Sequence, residues 1–75
     1  MTRTMYTMVF VGKDDTMYLC TAYDVFGLWG MLKDKLTEEE RTPEVLAELI
    51  DSLMRDGRDE WDAAKGHITT EMEVV

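Results

Sequence analysis

Residues 4–11, Thr-Met-Tyr-Thr-Met-Val-Phe-Val, and 16–22, Thr-Met-Tyr-Leu-Cys-Thr-Ala, are rich in β-branched and aromatic types. Gly12-Lys13-Asp14-Asp15 between them has the composition of a turn. The pattern predicts a β-hairpin. A four-residue turn sets Val11 opposite Thr16, so that Phe10 faces Met17, Met8 faces Leu19 and Tyr6 faces Thr21 on one apolar face. The opposite face then carries Met5, Thr7, Val9, Tyr18 and Cys20, and is also largely apolar. Helices of so small a domain cover one side of a sheet, which leaves the second side in need of another cover.

From Asp24 the period changes from two to about 3.6. Val25, Leu28, Trp29, Leu32 and Leu36 fall on one helical stripe, with Asp24 as the N-cap. Gly27 and Gly30 within this helix each cost about 1 kcal/mol relative to Ala. That cost predicts close packing of the helix backbone, most naturally on the sheet. Thr37-Glu38-Glu39-Glu40 has the form of a capping box, and Thr42-Pro43 supplies a cap followed by proline at the first helical position. The second helix starts there, with Leu46, Leu49, Ile50 and Leu53 as its apolar stripe, extended by Met54. Two readings stay open for residues 57–65. Either Gly57 merely loosens the helix and Trp61 and Ala64 continue its face, or a third helix forms before Gly66 closes the region.

The last nine residues alternate. Ile68, Thr70, Met72 and Val74 share one side and Thr69, Glu71 and Glu73 the other, which predicts a third strand. The expected fold is thus α+β in the order ββααβ: a three-stranded antiparallel sheet with two helices on one face. No repeat, linker or low-complexity stretch divides residues 1–75, so a single domain is expected. A chain of this length buries only about 60% of its unfolded surface, and its stability margin is correspondingly thin.

Charge sharpens the picture. Sixteen Asp and Glu against eight Lys and Arg give a net charge of -8 and a pI near 4.4. Residues 1–23 sum to zero, with Arg3 and Lys13 against Asp14 and Asp15, so the whole excess lies from Asp24 onward. Phosphate backbones and anionic bilayers repel such a surface, which disfavours direct binding to nucleic acid or membrane and favours a basic partner. A lone cysteine, Cys20, rules out an internal disulfide. With no signal-peptide pattern and no apolar run of about 20 residues, the expected setting is cytoplasmic. There is no Asn or Gln, and Ser52, His67 and Pro43 are each the sole residue of their type. Polar chemistry here is almost entirely ionic.

Enzymatic constellations are poorly represented. Ser52 lies mid-helix without a strained elbow, and Cys20 reads as a small half-buried hydrophobe at mid-strand. Zinc wants several Cys and His ligands and finds one of each. Asp56, Asp59, Glu60 and Asp62 lack the ligand order of a calcium loop and read as solvated surface. No phosphate-cradling motif occurs, and no cofactor or metal is expected. A small enzyme would require a pocket that joins His67 to two carboxylates.

Two surfaces remain as binding candidates. Glu44, Glu48 and Asp51 repeat at i, i+4 and i+7 on the second helix, and Asp59 and Asp62 extend that face if the helix runs through Gly57. Carboxylates one turn apart stand about 5–6 Å from each other, a spacing comparable with successive phosphates, so the stripe suits a Lys/Arg groove. The plainer alternative is a solvated polar helix face. The second candidate is the outer hairpin face, where Met5, Val9 and Tyr18 form an apolar patch suited to a homodimer or another protein.

In size, acidity, element order and lack of a catalytic constellation, the whole chain resembles the small inhibitor proteins of bacteriophages and mobile elements. These include anti-CRISPR proteins and other nucleic-acid mimics. No motif carries the resemblance. It implies a non-enzymatic protein that occupies a basic surface of a nucleic-acid-handling host complex. The alternative is an accessory homodimer paired through the hairpin face, with acidity serving solubility.

Overall fold

The computed structural model describes residues 2–75 and holds an α+β fold with four strands, one more than the pattern predicts. In chain order come β1 (Thr4–Gly12), β2 (Met17–Ala22), α1 (Val25–Lys33), a single 3-10 turn (Glu38–Glu40), α2 (Pro43–Asp56), β3 (Arg58–Ala63) and β4 (Gly66–Val74). The sheet is antiparallel throughout, in the order β2-β1-β4-β3. Two hairpins are therefore joined through their N- and C-terminal strands. The long central pairing runs from Thr4 opposite Val74 to Gly12 opposite Gly66. Arg3 and Val75 extend it by exchanging two backbone hydrogen bonds of 2.8 Å.

The order ββααβ is corrected at residues 57–65, which form neither a helical extension nor a third helix. Gly57 adopts φ 76°, a left-handed conformation that suits glycine, and its N–H donates to the Leu53 carbonyl, closing α2. Beyond it the chain extends, and burial alternates along β3 until Ala63 is buried beside Gly66 of β4. Trp61 and Ala63, rather than Trp61 and Ala64, share the inward side. Gly66 opens β4 instead of closing a helix. A Cβ there would run into the Val11 carbonyl and stand 2.8 Å from the Gly12 Cα, so a side chain has no room.

The hairpin register also differs from expectation by one residue. Asp15 sits at φ 66°, its N–H donates to the Gly12 carbonyl at 3.0 Å, and the Gly12 N–H donates to the Thr16 carbonyl at 2.7 Å. This three-residue connection with a left-handed third position is one residue shorter than the expected turn: it closes on Gly12 and Thr16 and sets Val11 opposite Met17. Because strands have period two, the shift turns β2 over. Tyr18, Cys20 and Ala22 face inward with Phe10, Met8 and Tyr6, while Met17, Leu19 and Thr21 face outward.

Both helices cover one side of the sheet, α1 over β1 and β2, α2 over β3 and β4. Between the layers lie Tyr6, Met8, Phe10, Leu28, Leu32, Leu36, Leu49, Leu53, Ala63 and Ile68. Each large aliphatic side chain withdrawn there from water contributes about 1.5–3 kcal/mol. Helix α1 ends at Lys33, earlier than its stripe suggests, yet Leu36 is still fully buried beyond it. Arg41 holds this junction by donating to the Lys33 and Leu36 carbonyls. Gly27 does pack closely on Ala22, whereas Gly30 faces open space. Met54, expected in the apolar stripe, is exposed.

Candidate functional site: an acidic groove between α2 and β3

The capping chemistry of α2 fixes where its charges point. Thr42 Oγ1 accepts from the Val45 N–H at 3.3 Å and Pro43 takes the first turn, so the helix starts in one register. Leu49 and Leu53 bury on the sheet, and Glu44, Glu48 and Asp51 project to solvent. Glu44 and Glu48 have no cation within salt-bridge distance among the described residues. Asp51 is partnered by Arg55 at 2.9 Å, an exposed pair of the kind that contributes little to stability.

The strand β3 splits the two remaining acids. Asp59 lies on the helix-covered side with Trp61 and is half-buried. Together with Val45, Glu48, Leu49 and Trp61 it lines a groove of about 150 Å³ between α2 and β3. Asp62 points to the opposite, uncovered side of the sheet, where its carboxylate meets His67 Nδ1 at 2.6 Å. Glu44, Glu48, Asp51 and Asp59 thus border one side of the molecule, and Asp62 does not join them. A single helical stripe through Gly57 is ruled out by the strand. Trp61 and Val45, which complete the groove, belong to no charge pattern; the sequence pattern marks Trp61 only as a continued helix face and does not mark Val45.

Charge segregates across the sheet. Residues 43–74 hold nine carboxylates against Arg55, Arg58 and Lys65, a net charge of -6; residues 4–33 hold three against Lys13 and Lys33, a net of -1. Three of the eight cations are engaged away from the acidic side. Arg3 stacks on Tyr23 at 4.0 Å and Lys35 on Tyr18 at 3.9 Å, while Arg41 donates to the Lys33 and Leu36 carbonyls. Among the described residues only Arg55 and Arg58 make arginine or lysine salt bridges. Glu40 is spent differently. It accepts from the Thr37 N–H and hydroxyl and from the Ala64 N–H, and the Thr37 backbone bond foremost holds its carboxyl below the usual range.

On the uncovered face, His67 does meet two carboxylates, Asp62 at Nδ1 and Glu60 at 3.4 Å from Nε2. The hydrogen bond to Asp62, aided by the charges of Asp62 and Glu60, raises its pKa above the ordinary value. This cluster does not line the α2–β3 groove: it lies on open sheet, with a carboxylate beside each ring nitrogen. Ser52 donates to the Arg58 carbonyl at 3.0 Å, and Cys20 lies on the other side of the sheet from His67, so neither of these two joins the cluster. Among the described residues no group of His, Cys, Asp and Glu is arranged to hold a metal ion. No helix among them is long and apolar enough to cross a membrane.

The expected dimer face is also divided. Met5 and Val9 face outward, but Tyr18 lies on the other side of its strand, 6.2 Å from Phe10 between ring centroids. Its outward places are taken by Met17 and Leu19, 68% and 70% exposed. The two sheet edges contrast: β2 carries no charged residue, whereas four of the six residues of β3 are charged. Compared with known proteins, the chain matches no family model, no curated protein and no solved structure.

Proposed function

We propose that this protein is a non-enzymatic binding protein whose acidic α2–β3 side docks on a basic surface of a nucleic-acid-handling complex and so blocks it. The observation that carries the reading is the segregation of charge: among the described residues Glu44, Glu48 and Asp59 have no salt-bridge partner along one side, where only Asp51 is paired, with Arg55, while Arg3 and Lys35 are held by aromatic rings away from it. A rigid display of carboxylates steers association with a basic partner and sets its orientation. A cytoplasmic setting fits the lone Cys20. The size and acidity of the chain resemble those of phage-type inhibitors, among them anti-CRISPR proteins, whose targets offer such surfaces.

Affinity capture from nuclease-treated bacterial lysate tests the reading, with wild type compared with Glu44→Lys/Glu48→Lys. Partners that elute at moderate salt, bind DNA or RNA themselves and disappear with the double variant support it. Retention of the same partners by the double variant removes the acidic side from the account.

A second reading, a homodimer, is favoured by β2. An uncharged edge strand with Met17 and Leu19 exposed lacks the devices that natural edges use against pairing. Light scattering over a concentration series decides it: a monomer throughout excludes the dimer, and a dimer abolished by Leu19→Lys locates it.

A further inference from the structure

The acidic side contains a shaped feature that charge alone does not require. Between α2 and β3 the groove of about 150 Å³ is walled by Val45, Leu49 and the Trp61 indole, with the Glu48 and Asp59 carboxylates also lining it. Neither carboxylate has a basic partner among the described residues, and the surroundings carry a net negative charge. An apolar slot with an aromatic wall and two unpaired carboxylates matches one side chain in size and chemistry. Arginine offers an aliphatic stem for Val45 and Leu49, a planar cation that stacks on indole, and a donor fork for two carboxylates.

We propose that the α2–β3 groove is an arginine-anchoring pocket: it takes a single arginine side chain of the basic partner, stacked on Trp61 and bonded to Glu48 and Asp59. The inference rests on the reading of the acidic side as a docking surface and adds what the docked surface must present. Lysine fills the same slot less well, because its ammonium lacks both the plane and the fork. The anchor accordingly makes binding depend on arginine rather than on positive charge in general, as the buried arginines of other interfaces do.

Nona-arginine and nona-lysine peptides of equal charge, titrated into the ¹⁵N-labelled protein at low salt, separate the possibilities. The pocket predicts that nona-arginine binds about fivefold tighter than nona-lysine, and that it shifts the Trp61 indole N–H. Trp61→Leu should abolish the preference while leaving charge-driven binding. Should that variant lose its fold, Glu48→Gln/Asp59→Asn, which removes no core contact, must abolish the preference instead. Equal binding of the two peptides with an unmoved Trp61 signal overturns the pocket and leaves the acidic docking side standing. Binding of neither peptide overturns both.

Discussion

Among the described residues one buried side-chain polar atom has no partner. Thr70 is fully buried on β4, opposite Met8 of β1 and Asp59 of β3, and its Oγ1 makes no hydrogen bond. A hydroxyl withdrawn from water without a compensating bond costs about 1–3 kcal/mol in proteins. Valine reproduces the branched shape of threonine and favours strands equally well, so Thr70→Val exchanges the stranded hydroxyl for a methyl group without opening a cavity. The expected gain is about 1–2 kcal/mol. In a domain of this size each kcal/mol moves the melting midpoint by about 4–8 °C, so the variant should melt at least about 4 °C above wild type. Thermal unfolding followed by circular dichroism, with a urea titration as the isothermal check, measures both quantities. An unchanged or lower midpoint refutes the reasoning, because it means the hydroxyl is satisfied.

The glycines give opposite signs. Gly30→Ala, at an open helical position, should stabilise by about 0.5–1 kcal/mol. Gly66→Ala, pressed against the Val11 carbonyl and Gly12, should cost about 1–3 kcal/mol, and both are read from urea midpoints. The His67 ring, followed by NMR, should titrate above 6.5 in wild type and move down in Asp62→Asn, since the Asp62 hydrogen bond is the leading cause of the shift. Because the folded value is the higher one, the stability from this contact is fully present below about pH 6.5 and is lost as pH rises through the folded pKa. A wild-type midpoint at or below 6.5 contradicts the geometry.

Where local rules and tertiary structure agree, the sequence was readable. The alternation of β1 and β4, the Asp24 cap and the Thr42-Pro43 start are local signals, and each appears where its residues stand. Strand β3 was hidden because Arg58, Asp59, Glu60 and Asp62 are poor strand formers, and Trp61 at helical spacing from α2 mimics a continued face. The left-handed Gly57 and the pairing to β4 override that propensity. Alternation of Trp61 and Ala63 with Glu60 and Asp62 was the available signal. The hairpin register was lost on one backbone angle, since a non-glycine residue, Asp15, takes the left-handed position.

The candidate site follows the same division. Glu44, Glu48 and Asp51 share a helix face whose period is visible in the sequence, and the structure exposes them together. Asp59 and Glu48 line one groove only because the chain turns at Gly57 and β3 folds back beside α2, a reversal that the helical spacing of the acids does not show. Asp62 leaves the set for the same reason, since a strand sends alternate side chains to opposite faces.

The most direct measurement of the central claim is backbone hydrogen exchange in the protein alone and bound to a captured basic partner. The account predicts new protection across α2 and β3, spanning Glu44 to Asp59, with β2 exchanging as before. Protection confined to β2 and the outward residues Met17 and Leu19, with α2 unchanged, would contradict it.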